Sequence, residues 1–342
     1  MSTGAFVLRR LGVSTLQLLA LALAVFFLIR ALPADPVARL VGQNPTPEAY
    51  ASAKRSIGLD EPVTTQLGRY LGVASGSSGI LQGDLGRSWV SGAPVGKEIR
   101  DALPITIELV TIAFALAFLL SVPIGMMCAV KPGGAADRSA FAYSLFAGSQ
   151  PEFWWGLLFV YVFFSVLNVV PPPLGRLDPM LTPPPSVTGF ITIDSILAGR
   201  WDALADGMQH LALPVLTKVF VLSGPIIKMV RQNMVRVLQS DFVLYARAAG
   251  LPPTRIARYA LRSALAPAIA LFGALYGYIL GGAVVIETIF SLGGIGQYAV
   301  RSILSFDYPA IQATILVITA ISLFVYLLLD IVHAVVDPRV TH

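Results

Sequence analysis

Charge is what this sequence most lacks. Only 13% of its 342 residues are Asp, Glu, Lys or Arg, against about 25% in ordinary soluble domains. A chain so poor in charge cannot clothe a soluble surface. Instead 56% of it is hydrophobic and gathered into runs near bilayer length, which makes it an all-α polytopic membrane protein. Cysteine is scarcer still. The single Cys128 lies inside an apolar run, which excludes an intrachain disulfide and a cysteine metal cluster and reads as a small buried apolar residue. The three histidines, His210, His333 and His342, stand far apart, so their spacing argues for no metal or nucleophile constellation. HExxH, CxxC, Walker A and GxSxG patterns are all missing, and this chain carries no recognisable site to hydrolyse ATP. The net charge of +5 does not point to nucleic acid, because basic residues beside membrane spans follow from topology alone.

What is present is a series of apolar runs between punctuated polar segments. Arg9 and Arg10 precede a run over 11–29, longer than a signal-peptide core and read as a retained first span. Five more spans are expected at about 103–130, 139–170, 211–230, 264–286 and 310–335, which divides the chain into 1–30, a polar region over 31–102, and a five-helix core over 103–342. In the polar region Thr46-Pro47-Glu48 supplies a cap, a first-turn proline and an acidic residue, with Gly58 as the stop, so a short helix is predicted. Gly76 to Gly79 reads as a flexible turn, and GDLGRSW (83–89) as a turn-rich connector. The proline-rich connector over 171–209 favours extended structure until about Asp194.

Three ionisable residues lie in or at the ends of apolar runs. Glu152 follows Pro151 between Ser149-Gln150 and Trp154-Trp155. That pattern suits either part of a translocation path or a helix break beside an aromatic belt. Lys218 sits in the fourth run, where it marks a pathway unless its stem snorkels outward. Glu287 closes the fifth run ahead of Gly293-Gly294-Ile295-Gly296, better read as a re-entrant or pore-mouth turn than as a phosphate site. The working hypothesis is that Glu152, Lys218 and Glu287 give polar surface to a path for a zwitterionic solute.

The segment 240–267 carries unusually complete helix punctuation. Asp241 suits an N-cap, Gly250 the position after a C-terminus, and Pro252 and Pro253 forbid continuation. Phe242, Tyr245, Ala246 and Ala249 fall on one apolar face, and after a second start at Thr254, Arg255, Arg258 and Arg262 share another. Such a stripe suits docking, with lipid, the protein's own bundle or another subunit as partner. Basic residues in the short loops, among them Lys131, Arg138, Lys228 and Arg231, put the N-terminus and this segment in the cytoplasm.

At this point the residues resemble a known family. LPADPV (32–37), IGLDEP (57–62), GDLGRSW (83–89), PVGKEI (94–99), LPITIEL (103–109), HLALP (210–214), YARAAGLPPTRIARYALRSALAP (245–267), LGGAVVIETIF (280–290) and DPRV (337–340) occur in the order and spacing of permease subunits of ATP-binding-cassette importers. The match is to the dipeptide/oligopeptide/nickel group, and within it to the first-permease type with a long external loop after helix 1. The resemblance implies six transmembrane helices and half of a translocation path. It implies a heterodimer with a second homologous permease, two ATP-binding subunits that hold ATP and Mg, and an extracytoplasmic substrate-binding protein. No cofactor is expected in this chain. It further implies a bacterial or archaeal plasma membrane, with both termini cytoplasmic. It assigns the ATPase-coupling role to Asp241, Phe242, Tyr245, Ala246, Ala248, Ala249, Gly250, Arg255 and Pro267. This chain departs from the pattern at Leu244, Ala249 and Gly293, and at Glu152 and Lys218, where small or apolar residues are usual. A self-sufficient secondary transporter or channel is the alternative; it would predict an inverted repeat, and none is visible. Peptides, nickel complexes and other small solutes all remain open as substrates.

Overall fold

The computed structural model describes residues 3–336 apart from 34, 43–44, 75 and 266–267. It is all helical, with no strand among the described residues and one isolated bridge, Arg87 to Pro94. The helices are α1 (Thr3–Ala31), α2 (Pro36–Val41), α3 (Pro47–Ser56), α4 (Val63–Leu71), α5 (Val95–Val130), α6 (Ala135–Gly148) and α7 (Glu152–Phe159), followed by a π-helical stretch at Val160–Val166. After the connector come α8 (Ile191–Leu197), α9 (Trp201–Leu238), α10 (Asp241–Ala248), α11 (Pro253–Leu265), α12 (Ala268–Ile289), α13 (Ile295–Leu304) and α14 (Tyr308–Val336).

Among the described residues four segments are long and apolar enough to cross a membrane: Val7–Ala31, Val95–Val130, Trp201–Leu238 and Tyr308–Ile331. Their roles differ. In the most apolar stretch of Trp201–Leu238, 72% of residues are buried, against 6% in Tyr308–Ile331, so α9 is the central post and α14 lies at the periphery. The backbones of α5 and α9 approach so closely that a Cβ on Gly125 would lie 2.8 Å from Val230 Cβ. Small residues at helix crossings permit this kind of contact in membranes. Leu109, Val110, Ala113, Ala117, Ile226 and Val230 fill the interior around that crossing.

Two expected runs take a different form. The run over 139–170 is broken at Ser149-Gln150-Pro151 into α6 and α7, because Pro151 has no N–H to continue the ladder. Trp155 staples the break by donating from Nε1 to the Ala147 carbonyl at 3.0 Å. The fourth helix begins at Trp201 instead of 211, since the amphipathic lead-in continues directly into it, and Pro214 and Pro225 are accommodated inside. The predicted short helix stands as α3: Thr46 Oγ1 accepts from Ala49 N at 3.2 Å, and Gly58 takes φ +70°.

The helices alternate in direction, which gives the bundle two distinct ends. Arg10 meets Asp330 at 2.7 Å where α1 begins and α14 runs out, while Val25 and Ile29 pack on Tyr308 and Ile311 at the opposite end. We call the second of these the loop end and the one that carries α10 and α11 the basic end. GDLGRSW is a clasp at the loop end. Ser88 N donates to Ala93 O at 2.9 Å to close the turn, Ser88 Oγ donates to Asp307 Oδ2 at 2.5 Å, and the Trp89 ring lies 5.0 Å from that of Tyr308. Gly79 is no flexible spacer. A Cβ there would lie 2.3 Å from Gly72 N, and its N–H donates to Gln82 Oε1 at 3.0 Å. The proline-rich connector is tied down by buried Glu108, which accepts from Ile191 N at 3.1 Å, Thr192 N at 2.9 Å and Thr192 Oγ1 at 2.6 Å.

Candidate functional site

The segment around α10 is built as the punctuation demands, with one exchange of roles. Ser240 holds the N-cap position, its hydroxyl turned back to Val237 O, and Asp241 is the first helical residue instead of the cap. A carboxylate in the first turn still complements the helix dipole. At the other end Gly250 takes φ +73°, Gly250 N donates to Arg247 O at 3.0 Å, and Leu251 N donates to Ala246 O at 3.1 Å. These two bonds form a Schellman motif, which needs a residue free to enter the left-handed region.

The apolar stripe is split between two destinations. Ala246 turns inward with Val243, and the two form a cluster with Ile256, Leu238 and Leu251. Burying a valine contributes about 1.5 to 3 kcal/mol, enough to seat a two-turn helix that is marginal alone. Phe242 and Tyr245, together with Leu244, face outward, and Tyr245 is 77% exposed. Ala248 and Ala249 are exposed beside them. In α11, Ile256, Ala260 and Ala264 face the bundle while Arg255, Arg258 and Arg262 are exposed on the other side. The outcome is an apolar patch beside a basic helix face, presented on a rigidly terminated turn. Pro267 lies outside the described residues.

Of the three path candidates, the structure joins two. Lys218, 1% exposed, does not snorkel; its Nζ donates to Glu152 Oε1 at 2.9 Å. Glu152 sits in the first turn of α7, and the pair lines a cavity of about 410 Å³ with Ser149, Gln150, Leu222 and Ile279. Lysine and carboxylate therefore neutralise one another in the bundle while part of the carboxylate stays open to the cavity.

Glu287 does not line that cavity. It is fully buried and bonds its own turn: Oε1 accepts from Thr106 Oγ1 at 2.5 Å and Oε2 from Gln297 N at 2.9 Å. Thr106 Oγ1 in turn accepts from Ile295 N at 3.0 Å. Glu287 and Thr106 together thus satisfy donors at the start of α13, which no intrahelical acceptor could reach. The glycines make room for this: a Cβ on Gly294 would lie 2.4 Å from Glu287 Cδ. GGIG is accordingly a re-entrant turn folded over a buried carboxylate.

Val243, Glu108, Thr106 and Asp307 were not singled out from sequence. Glu108 carried a signal, a carboxylate within an apolar run; Val243 carried none, since a stripe does not say which of its edges meets the bundle. Among the described residues no group of three or more His, Cys, Asp or Glu could hold a metal ion.

An all-helical bundle with membrane-length apolar helices, a buried ion pair beside a cavity and an exposed apolar patch at one end defines an integral-membrane transport component. Residues 121–342 match the model of the binding-protein-dependent transport system inner membrane component, and residues 4–110 match the N-terminal model of binding-protein-dependent transport system membrane components. The chain belongs to that family. It is 36% identical over 339 residues to the di/tripeptide transport system permease protein of Pseudomonas aeruginosa, covering 98% of each. It is 33% identical over 341 residues to the dipeptide transport system permease protein of Escherichia coli, again with 98% of each covered. Against the probable D,D-dipeptide transport system permease protein of Escherichia coli the identity is 35% over 316 residues, 92% of this chain and 91% of the relative.

Proposed function

We propose that this chain is the membrane-spanning permease subunit of an ATP-driven importer, forming half of the translocation path for peptides or related small solutes. The observation that carries the reading is the divided stripe of α10. Its inner edge is bolted to the bundle through Val243 and Ala246, and its outer edge leaves Phe242, Leu244 and Tyr245 uncovered beside Arg255, Arg258 and Arg262. A lipid-surface helix has no need of a Schellman stop and a second, basic helix to fix its angle. A coupling element does, because it must transmit the displacement of a partner that hydrolyses ATP. Asp241, Phe242, Tyr245, Ala246, Ala248, Ala249, Gly250 and Arg255 form that element, and the partner ATPases supply ATP and Mg.

Six crossings follow from the same reading: α1, α5, the broken α6–α7 unit with its π-helical extension, α9, α12 and α14. The basic end is cytoplasmic, together with both termini, and residues 31–102 lie outside, where a substrate-binding protein delivers its solute. A second homologous permease supplies the other half of the path. Glu152 and Lys218 contribute to this half, and their side chains of opposite charge suit a zwitterionic solute; Glu287 is left out of this path.

Co-expression with a second permease and ATP-binding subunits of the same transport-system type tests the reading. Deletion of 242–249, or Gly250→Pro, abolishes ATPase co-purification and ATP-driven dipeptide uptake in proteoliposomes while the protein remains inserted. Uptake and association at the unaltered level after that deletion would remove the coupling claim. For the path, neutralising Glu152 and Lys218 together shifts the preference from zwitterionic toward blocked, neutral peptides; indifference would sink that assignment.

A further inference from the structure

At the loop end, among α1, α4, the clasp and the start of α14, lies a second cavity of about 360 Å³. Its wall combines Arg30, Gln66, Tyr70, Trp89, Tyr308 and Gln312. Arg30 crosses this wall with only neutral partners. Its Nε donates to Gln66 Oε1 at 2.9 Å, its Nη1 to Phe26 O at 3.1 Å, and its guanidinium carbon stands 3.6 Å over the Phe26 ring. No ion pair joins it among the described residues. Arg69 is paired with Glu61 at 2.6 Å, and exposed Arg87 and Asp84 share the rim, where Asp84 is occupied by Ser78 Oγ and Gly86 N.

Two further groups of the wall are unpartnered. Gln312 is 3% exposed and its Nε2 has no hydrogen-bond partner, and the buried Tyr70 hydroxyl has none either. Leaving a buried donor unpaired costs about 1 to 3 kcal/mol, and native structures rarely do it twice around one cavity without cause. The Arg30 guanidinium thus lacks a counter-charge, and the Gln312 amide N–H₂ and the Tyr70 phenol O–H lack an acceptor. One cation calls for one negative charge, which fits a carboxylate better than a phosphate dianion, and a guanidinium edge matches the two carboxylate oxygens. Trp89 and Tyr308 offer aromatic surface for a short apolar tail.

We propose that this cavity binds the carboxylate end of a small solute, separately from the Glu152–Lys218 cavity and independently of the importer reading. The full-length protein in detergent, without ATPases, is titrated calorimetrically with Ala-Ala, its C-terminal amide, acetate and inorganic phosphate. Ala-Ala binds with a Kd of about 1 mM, acetate competes with it, and the amide binds at least about tenfold more weakly. Arg30→Lys and Gln312→Leu each weaken Ala-Ala by about tenfold. Gln312→Leu also keeps or raises the thermal transition, because it removes an unpaired polar group. That separates lost binding from lost folding. The proposal is overturned by no saturable carboxylate binding up to about 10 mM, by equal binding of the amide, by binding of phosphate alone, or by Arg30→Lys and Gln312→Leu leaving affinity intact.

Discussion

The loop end of this bundle and the α10 segment at its other end are held in place by different physics. At the loop end Glu108, Asp194, Glu287 and Asp307 each accept backbone N–H groups from loops or helix starts. Such bonds are directional, and each leaves a buried polar group stranded if the contact slides. At the basic end α10 is seated by Val243, Ala246, Ile256, Leu238 and Leu251 alone, and the bond of Asn233 to Ala264 O at 3.2 Å supports the neighbouring α11. Apolar contact is non-directional and tolerates small displacements. The loop end is therefore pinned, whereas α10 can shift on its apolar seat while the rest of the basic end stays tied through Asp137, which accepts from Gly133 N at 2.7 Å and pairs with Arg231, and through Arg10–Asp330.

The largest expected effect breaks the pinned end. Glu287→Ala strands Thr106, Gln297 and the start of α13 and lowers stability by about 3 kcal/mol or more, read as the thermal transition in detergent. Glu287→Gln retains an acceptor and falls between that variant and the unaltered protein. Gly294→Ala, whose Cβ would meet Glu287 Cδ at 2.4 Å, lowers the transition by the same route. Between the two ends, Lys218→Met leaves Glu152 without its cation and costs about 2 to 3 kcal/mol. Adding Glu152→Gln recovers most of that loss, and recovery measured in the double variant checks the pair.

At the basic end stability and association separate. Tyr245→Ala changes stability by no more than about 0.5 kcal/mol, since the side chain is exposed, yet weakens ATPase association by about tenfold or more. Val243→Ala costs about 1 to 2 kcal/mol by opening the apolar seat. A Tyr245→Ala protein that unfolds early and still binds ATPase normally would reverse the comparison.

How far these ends were legible in the residues depends on the kind of rule that governs them. Gly250, Pro252 and Pro253 act through the backbone, and the structure terminates α10 where they require. The direction of the stripe was not legible, because periodicity places Phe242 and Ala246 on one face without saying which edge the bundle takes. Glu152, Lys218 and Glu287 stood out as charges in apolar runs, but their fates diverged for reasons that lie far away in the chain. Lys218 found Glu152, whereas Glu287 found Thr106 and the N–H of Gln297. GDLGRSW concealed its role altogether, since a clasp on Asp307 depends on a contact across 219 positions.

The smallest effect is in acid, and it discriminates between the ends. Burial pushes the Asp194 carboxyl upward, but N–H and hydroxyl donation from Thr188 and N–H donation from Gly189 and Val187 outweigh it, so its pKa lies below the ordinary value. Those donors disperse on unfolding, and the unfolded carboxyl returns to about 3.9. The stability Asp194 contributes is thus complete above that value and is lost as pH falls through the lowered folded value. Asp194→Asn should therefore melt below the unaltered protein at neutral pH and converge with it in acid below about pH 4. Val243→Ala removes only apolar contact, and its deficit should stay constant across the same range. A Val243→Ala deficit that also vanished in acid, or an Asp194→Asn deficit that did not, would show that the two ends are not held by different forces.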